Sequence, residues 1–284
     1  MKCDTLVIVG VGLLGGSLAR AVRQRDVARR LVGIDRAESH RRRAVELGLV
    51  DQAVADLADE AAAGADMVVA CTPVDCIAAP LIEAARRCRP DALLTDVGST
   101  KAGIVRAVED ALPPDRLFVG GHPLAGSEKC GPEHADGGLF DGRLVILTPT
   151  PRTRPEALER ATGFWQALGA RVRIMTPEEH DRAVALTSHL PHVVASALAA
   201  VLPGSLCELA ASGFRDTTRL ASSDPRLWTA ICSHNREFLL EALELFEGKL
   251  EEFRRALSRD DAARLFELLE EGKRARGGLA SRGP

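Results

Sequence analysis

Between residues 5 and 175 the chain alternates short apolar runs with longer amphipathic stretches. The runs are TLVIV (5–9), LVGID (31–35), DMVVAC (66–71), ALLTDV (92–97), LFVGG (117–121), RLVILT (143–148) and RVRIM (171–175). Runs this short, rich in β-branched residues and bounded by polar or glycine positions, predict strands. The intervening stretches, such as LLGGSLARAVRQR and VDCIAAPLIEAARRC, repeat apolar residues at helical spacing. Strand–helix alternation predicts an α/β, Rossmann-type doubly wound sheet, largely parallel, with crossover helices. After TPEEH the strand pattern stops. PEEHDRAVALTSHLPHVVASALAAVL, a Gly/Asp/Thr turn region at 212–224 and SHNREFLLEALELFEGKLEEFRRALS all read as helical. Two domains are therefore expected, a Rossmann domain over 1–176 and an all-α domain over 177–284. The terminal RARGGLASRGP reads as a frayed tail.

The helical half carries one further signal. In EFLLEALELFEGKLEEF, Phe238, Leu239, Ala242, Leu243, Leu245, Phe246, Leu250 and Phe253 cover more than one narrow stripe. A helix with so wide an apolar surface needs a packing partner beyond its own core, so a homodimer through the helical domain is expected.

Composition narrows the classes. With 284 residues and 46% hydrophobic content the chain can bury a sizeable core. A net charge of −3 gives no reason to expect nucleic acid or an anionic membrane. The seven cysteines are odd in number, scattered and without a C-x-x-C pair, which suits reduced thiols in the cytoplasm. The N-terminal apolar run is too short for a secretory signal, and no later run reads as long enough to span a membrane. Cysteines and histidines show no metal-ligand spacing, so no metal is expected. The chain has no tyrosine, which removes mechanisms that need a catalytic Tyr.

Gly10-x-Gly12-x-x-Gly15 follows the first predicted strand and opens a helix through Leu13 and Leu14. Such glycines permit a tight turn, backbone approach to a pyrophosphate and close helix–strand packing, while the helix N-terminus favours the phosphates. Asp35, twenty positions after Gly15, ends the second strand, where a carboxylate can bond the ribose hydroxyls of NAD. Arg36 follows directly, and Arg41, Arg42 and Arg43 lie close by, so NADP stays open as a second cofactor. Thr72 and Pro73, at the end of DMVVAC, are placed along the nicotinamide–ribose half.

TDVGSTKAGI (95–104) and VGGHPLAG (119–126) each follow a predicted strand of the same sheet, so their loops are expected at its ligand-binding edge. That sets Ser99, Lys101, His122 and Ser127 beside the nicotinamide. A histidine there can take a proton from a substrate hydroxyl while hydride leaves the same carbon. His189 and His192 share a helix face, and Pro191 between them cannot donate to the carbonyl of Thr187, so the helix should loosen there.

Taken together, GxGxxGxS, CTP, DVGSTK, GGHPLAGSEKCG, TSHLPH and GFRDTTRLASSDPRLW resemble the prephenate/arogenate dehydrogenases of tyrosine biosynthesis, from about Leu6 to at least Trp228. The resemblance implies a Rossmann domain joined to a helical dimerisation domain. It implies oxidative decarboxylation of prephenate to 4-hydroxyphenylpyruvate with NAD or NADP, or of arogenate to tyrosine. It also implies His122 as the catalytic histidine and Ser99 as a contact of the ring hydroxyl and nicotinamide. Ser127 and Glu128 fall in the substrate loop, and His192, Arg219 and Trp228 in the substrate pocket. Prephenate's two carboxylates suit the planar fork of Arg219, with Lys101 as the next candidate. A β-hydroxyacid dehydrogenase or imine reductase is the competing enzyme reading. Such enzymes typically depend on a lysine or aspartate on the interdomain helix, and that stretch carries Asp181 and histidines but no lysine, which argues against the usual hydroxyacid mechanism. A nucleotide-sensing scaffold would leave His122, Ser99 and Arg219 unexplained.

Overall fold

The computed structural model describes residues 3–126 and 129–280. Six strands, β1 (Cys3–Val9), β2 (Ala28–Ile34), β3 (Gln52–Val54), β4 (Met67–Ala70), β5 (Leu93–Asp96) and β6 (Leu117–Phe118), form a parallel sheet in the order β3-β2-β1-β4-β5-β6. Successive side chains of a strand point to opposite faces, and in β1 both sets are apolar. Leu6 and Ile8 therefore join one core cluster with Leu18 and Val22 of α1 (Leu13–Gln24). Val7 and Val9 join the other. Strand order reverses between β1 and β4, which opens a crevice at the carboxyl ends of those two strands. The helices α2 (Glu38–Glu46), α3 (Glu60–Ala63), α4 (Ala78–Arg87) and α5 (Ala102–Ala111) make the remaining crossovers. Leu81 of α4 and Ile104 of α5 fill the second cluster with Val7 and Val9.

The predicted strand 117–121 divides at Val119. Its first half is β6; the rest starts β7 (Gly120–Pro123), which leaves the parallel sheet. β7 pairs antiparallel with β8 (Leu144–Thr148), and β8 pairs parallel with β9 (Arg171–Ile174), with α6 (Pro155–Ala167) between them. The expectation of a single sheet is thus corrected, and so is that of His122 in a loop: it lies on β7, paired with Ile146. The cause is local. A Cβ on Gly121 would sit 2.8 Å from the carbonyl oxygen of Asp96, so only glycine lets β7 pass over the end of β5.

From Thr176 the chain is helical. The Thr176 side chain accepts from Glu179 N, the Glu179 carboxylate accepts from Thr176 N, and Pro177 takes the first turn, so α7 (Pro177–Val184) starts on a capping box. It runs through a π-helical turn, Ala185–His189, into α8 (Leu190–Val201). That loosening falls one turn before Pro191, as the missing donor requires. The continuous helix Pro177–Val201 is, by length and composition, apolar enough to cross a membrane, which corrects the expectation that no later run reaches that length. It holds His180, Asp181 and His189 in protein surroundings, each no more than 1% exposed.

Then come α9 (Ser212–Thr218), a 3-10 turn at Arg219–Ser222 that packs on α8, and α10 (Pro225–His234), capped by Asp224. Residues 1–236 form one compact unit and residues 237–284 a second. Nearly all of α11 (Arg236–Ser258) and all of α12 (Ala262–Ala280) belong to the second, where Lys249 pairs with Glu271 and Arg264 with Glu252. α12 continues through RARGGLA, which corrects the frayed-tail expectation for those residues. Lys273 bonds Glu270 one turn back, and the Arg274 guanidinium bonds the Glu270 carbonyl.

Candidate active site

A cavity of about 450 Å3 opens where β1, β2 and β4 end. Gly10, Gly12, Asp35, Arg36, Thr72 and Pro73 all line it, together with His40 and Cys76. The three glycines stand in different relations to it. Gly12 borders open space, whereas a Cβ on Gly15 would overlap the carbonyl oxygen of Gly10, so α1 can meet the β1 turn only without a side chain there. Leu13 and Leu14 open α1, and Leu14 packs against the core. Asp35 is oriented by backbone donors, Oδ2 accepting from Val11 N at 3.1 Å and Oδ1 from Ala37 N at 2.9 Å. Oδ1 keeps one acceptor site for a ribose hydroxyl.

The arginines divide. Arg41 donates to the carbonyls of Asp35 and Arg36, and Arg42 and Arg43 both pair with Glu46, which leaves Arg36 as the arginine at the cavity. Thr72 Oγ1 donates to the Cys76 carbonyl at 3.0 Å and rigidifies the turn after β4. A small-residue turn at a helix start, an oriented acid and an apolar wall together fit a dinucleotide.

Beyond β5 the loop with Ser99 leads into α5. Ser99 is partly buried. Lys101, fully buried, is ion-paired with Asp96 and donates to the Gly121 carbonyl at 2.9 Å. Asp96 also accepts from Gly98 N and Gly121 N. Burial pulls the Lys101 pKa down, and the Asp96 carboxylate pushes back up. Lys101 is thereby committed to pinning β7 against β5, which corrects its standing as the next candidate for a substrate carboxylate.

His122 Nδ1 lies 2.8 Å from His180 Nε2, and His180 Nδ1 lies 2.7 Å from Asp181 Oδ1. The same carboxylate accepts from Lys101 N at 2.7 Å and Ala102 N at 2.8 Å, at the start of α5. Asn235 Nδ2 donates to the Asp181 carbonyl at 2.8 Å and stands 2.9 Å from His189 Nδ1. Burial drives the His122 pKa well below 6.5, and the positive charge of Lys101 lowers it further. His122 is therefore neutral near pH 7 and able to take a proton.

His192 stacks on Trp228, with ring centroids 3.3 Å apart and planes 20° apart, and His189 meets the edge of the same indole. α10 carries Trp228 here because it packs on the turn Val74–Cys76 after β4. Burial lowers the His192 pKa, and the nearby positive charge of Arg219 lowers it further. The structure thus groups three of the predicted pocket residues, His192, Trp228 and Arg219. It links them through His189 to His122. Ser127 and Glu128 lie outside the described residues.

Sequence reasoning missed His180, Asp96 and Asn235, and read Asp181 only as a helix residue. The sequence carries no clear signal for this pair: Glu178, Glu179 and Arg182 flank His180 and Asp181, and only packing buries the two. Among the described residues no group of three or more His, Cys, Asp or Glu side chains converges as a metal site.

Comparison with known proteins extends over both halves. Residues 18–174 match the family model described as prephenate dehydrogenase, nucleotide-binding domain, and residues 176–271 match prephenate dehydrogenase, dimerization domain. Prephenate dehydrogenase of Bacillus subtilis is 36% identical over 98% of this chain and 77% of its own. Cyclohexadienyl dehydrogenase of Zymomonas mobilis is 36% identical over 95% of this chain and 94% of its own. The crystal structure of prephenate dehydrogenase from A. aeolicus in complex with hydroxyphenyl propionate and NAD+ superposes with a TM-score of 0.93. It is 34% identical and covers 98% of this chain and 99% of that one.

Proposed function

The chain belongs to the prephenate dehydrogenase family, and from that premise we propose that it oxidatively decarboxylates prephenate to 4-hydroxyphenylpyruvate with NAD. The observation that carries the reading is the hydrogen-bonded chain His122–His180–Asp181, alongside a crevice lined by Gly10, Gly12 and Asp35 at the switch point of the sheet, in a chain matched by the family over both halves. Gly10, Gly12 and Gly15 with the N-terminus of α1 hold the pyrophosphate, Asp35 holds the adenosine ribose, and Thr72 and Pro73 line the nicotinamide half. Bound there, NAD supplies the acceptor for the hydride that leaves the ring carbon bearing the hydroxyl.

His122 removes the hydroxyl proton as that hydride departs, and Ser99 orients the hydroxyl. Loss of the ring carboxylate as CO2 then completes an aromatic ring, so the protein's task is alignment and proton removal. Arg219 grips a carboxylate with its two-pronged guanidinium, beside His192 and Trp228. Ser127 and Glu128 complete the substrate loop. The working division is a Rossmann domain over 1–176 and a substrate and dimerisation domain over 177–284, in a cytoplasmic homodimer.

The test is direct. Purified protein given prephenate and NAD should release CO2 and NADH in equal amounts; no NADH above the substrate-free control would overturn the reading. The similarity to a cyclohexadienyl dehydrogenase favours a second reading, arogenate as substrate. Comparing kcat/KM for the two compounds decides between them.

A further inference from the structure

We propose that His180 and Asp181 are positioning residues that lock His122 in the tautomer with its proton on Nδ1, leaving Nε2 bare as the proton acceptor. The proposal rests on the reading of His122 as the base and adds how that base is set. It follows from hydrogen-bond accounting along three side chains on two elements 58 residues apart.

Asp181 is an acceptor at every contact: Lys101 N and His180 Nδ1 on Oδ1, Ala102 N on Oδ2. Two backbone N–H groups fix the carboxylate, so the His180 nitrogen facing it must be the one bearing hydrogen. Burial keeps His180 neutral, although Asp181 pulls its pKa back up. A neutral His180 protonated on Nδ1 has a lone pair on Nε2. At 2.8 Å from His122 Nδ1 that lone pair needs a donor, and the donor can only be the His122 Nδ1–H. The neutral His122 ring then has one nitrogen left, and it is unprotonated.

The arrangement also provides a place for the charge. When the substrate hydroxyl proton binds His122 Nε2, the Nδ1 proton can shift to His180 Nε2. His122 returns to neutral, and His180 becomes an imidazolium against the Asp181 carboxylate. One proton enters, one passes between two nitrogens that stand 2.8 Å apart, and no side chain need rotate. The reverse shift resets the chain once the Nε2 proton leaves. The charged and titratable groups around the pair are Lys101, Asp96 and His189. Lys101 opposes a cation on either ring, whereas Asp181, in direct contact with His180, and Asp96 favour one on His180. The field therefore directs the positive charge inward, away from the reacting atom. Asn235, bonded to the Asp181 carbonyl, holds the helix end of the chain in place.

The decisive experiment is 15N NMR of the histidines in the full-length wild-type protein at neutral pH, without substrate, with His122→Asn used for assignment. The expected result is Nδ1 protonated and Nε2 bare on both His122 and His180. A His122 ring carrying its proton on Nε2 would overturn the proposal. A pair of variants reads the consequence. His180→Gln keeps a carbonyl acceptor for Nδ1–H but cannot take up the proton, so kcat should fall about tenfold. His180→Leu removes the acceptor, and kcat should fall about 10²-fold or more, with KM for NAD and prephenate within a few-fold. Equal losses in the two variants, or none, would mean that His180 only fills space and would overturn the role. The tautomer is read without turnover, so an active His122→Asn enzyme would instead count against the base assignment itself.

Discussion

Arg219 stands exposed on a 3-10 turn, close enough to His192 for its charge to be felt there. In the proposed site its value is its geometry, since two parallel N–H donors match a carboxylate as an ammonium cannot. Arg219→Ala should raise the KM for prephenate about tenfold or more with the KM for NAD nearly unchanged, and Arg219→Lys should recover only part of the loss. An unaltered prephenate KM would move the carboxylate site elsewhere, and Lys101, already spent on Asp96, is not available to take it. On the proposed reading Asp35 decides between cofactors at the same scale, because its carboxylate would repel a 2′-phosphate. Asp35→Ser should narrow the gap between the KM values for NAD and NADP; a gap that does not change would contradict that role. Residue chemistry of this kind was legible in the sequence where it depends on neighbours in the chain. Asp35 after a glycine turn and a strand is such a case. The partner of His122 was not legible, because His180 is 58 positions away and only packing brings the rings together.

Among the elements, the glycine turn and α1 were readable because the first strand, the turn and the helix follow one another directly. Gly15→Ala should push α1 off the Gly10 carbonyl and weaken NAD binding by about tenfold or more, read by calorimetry without substrate. Wild-type affinity in that variant would show that the turn tolerates the shift. The departure of β7 from the parallel sheet was not readable. A run such as LFVGG has the same pattern whether it ends one sheet or starts another, and the choice lies in the close approach of Gly121 to Asp96. The loosened turn before Pro191 shows the opposite case. A missing N–H is a property of the sequence itself, and the π-helical turn Ala185–His189 lies where it predicts.

For the molecule as a whole, the wide apolar surface of α11 is the feature that asks for a second copy. In the unit 237–284, Leu245 is 65% exposed and Phe266 of α12 is 67% exposed, while Leu250, Leu257 and Leu269 are also open. Sedimentation at micromolar concentration should give the mass of a dimer, and a monomer would contradict the assembly. The central claim is that this NAD-dependent dehydrogenase runs on a histidine kept neutral by its surroundings, and the pH dependence of kcat for prephenate in wild type and His122→Asn tests it most directly. Burial holds the His122 pKa well below 6.5, so its base form persists as pH falls through the ordinary histidine range and is lost only under more acidic conditions. Wild-type kcat should therefore stay level from neutral pH down past 6.5 and fall below that. His122→Asn should lose about 10²-fold or more in kcat and lack that acid limb. A wild-type limb centred at or above 6.5, or a variant with near-normal kcat and the same profile, would contradict the account.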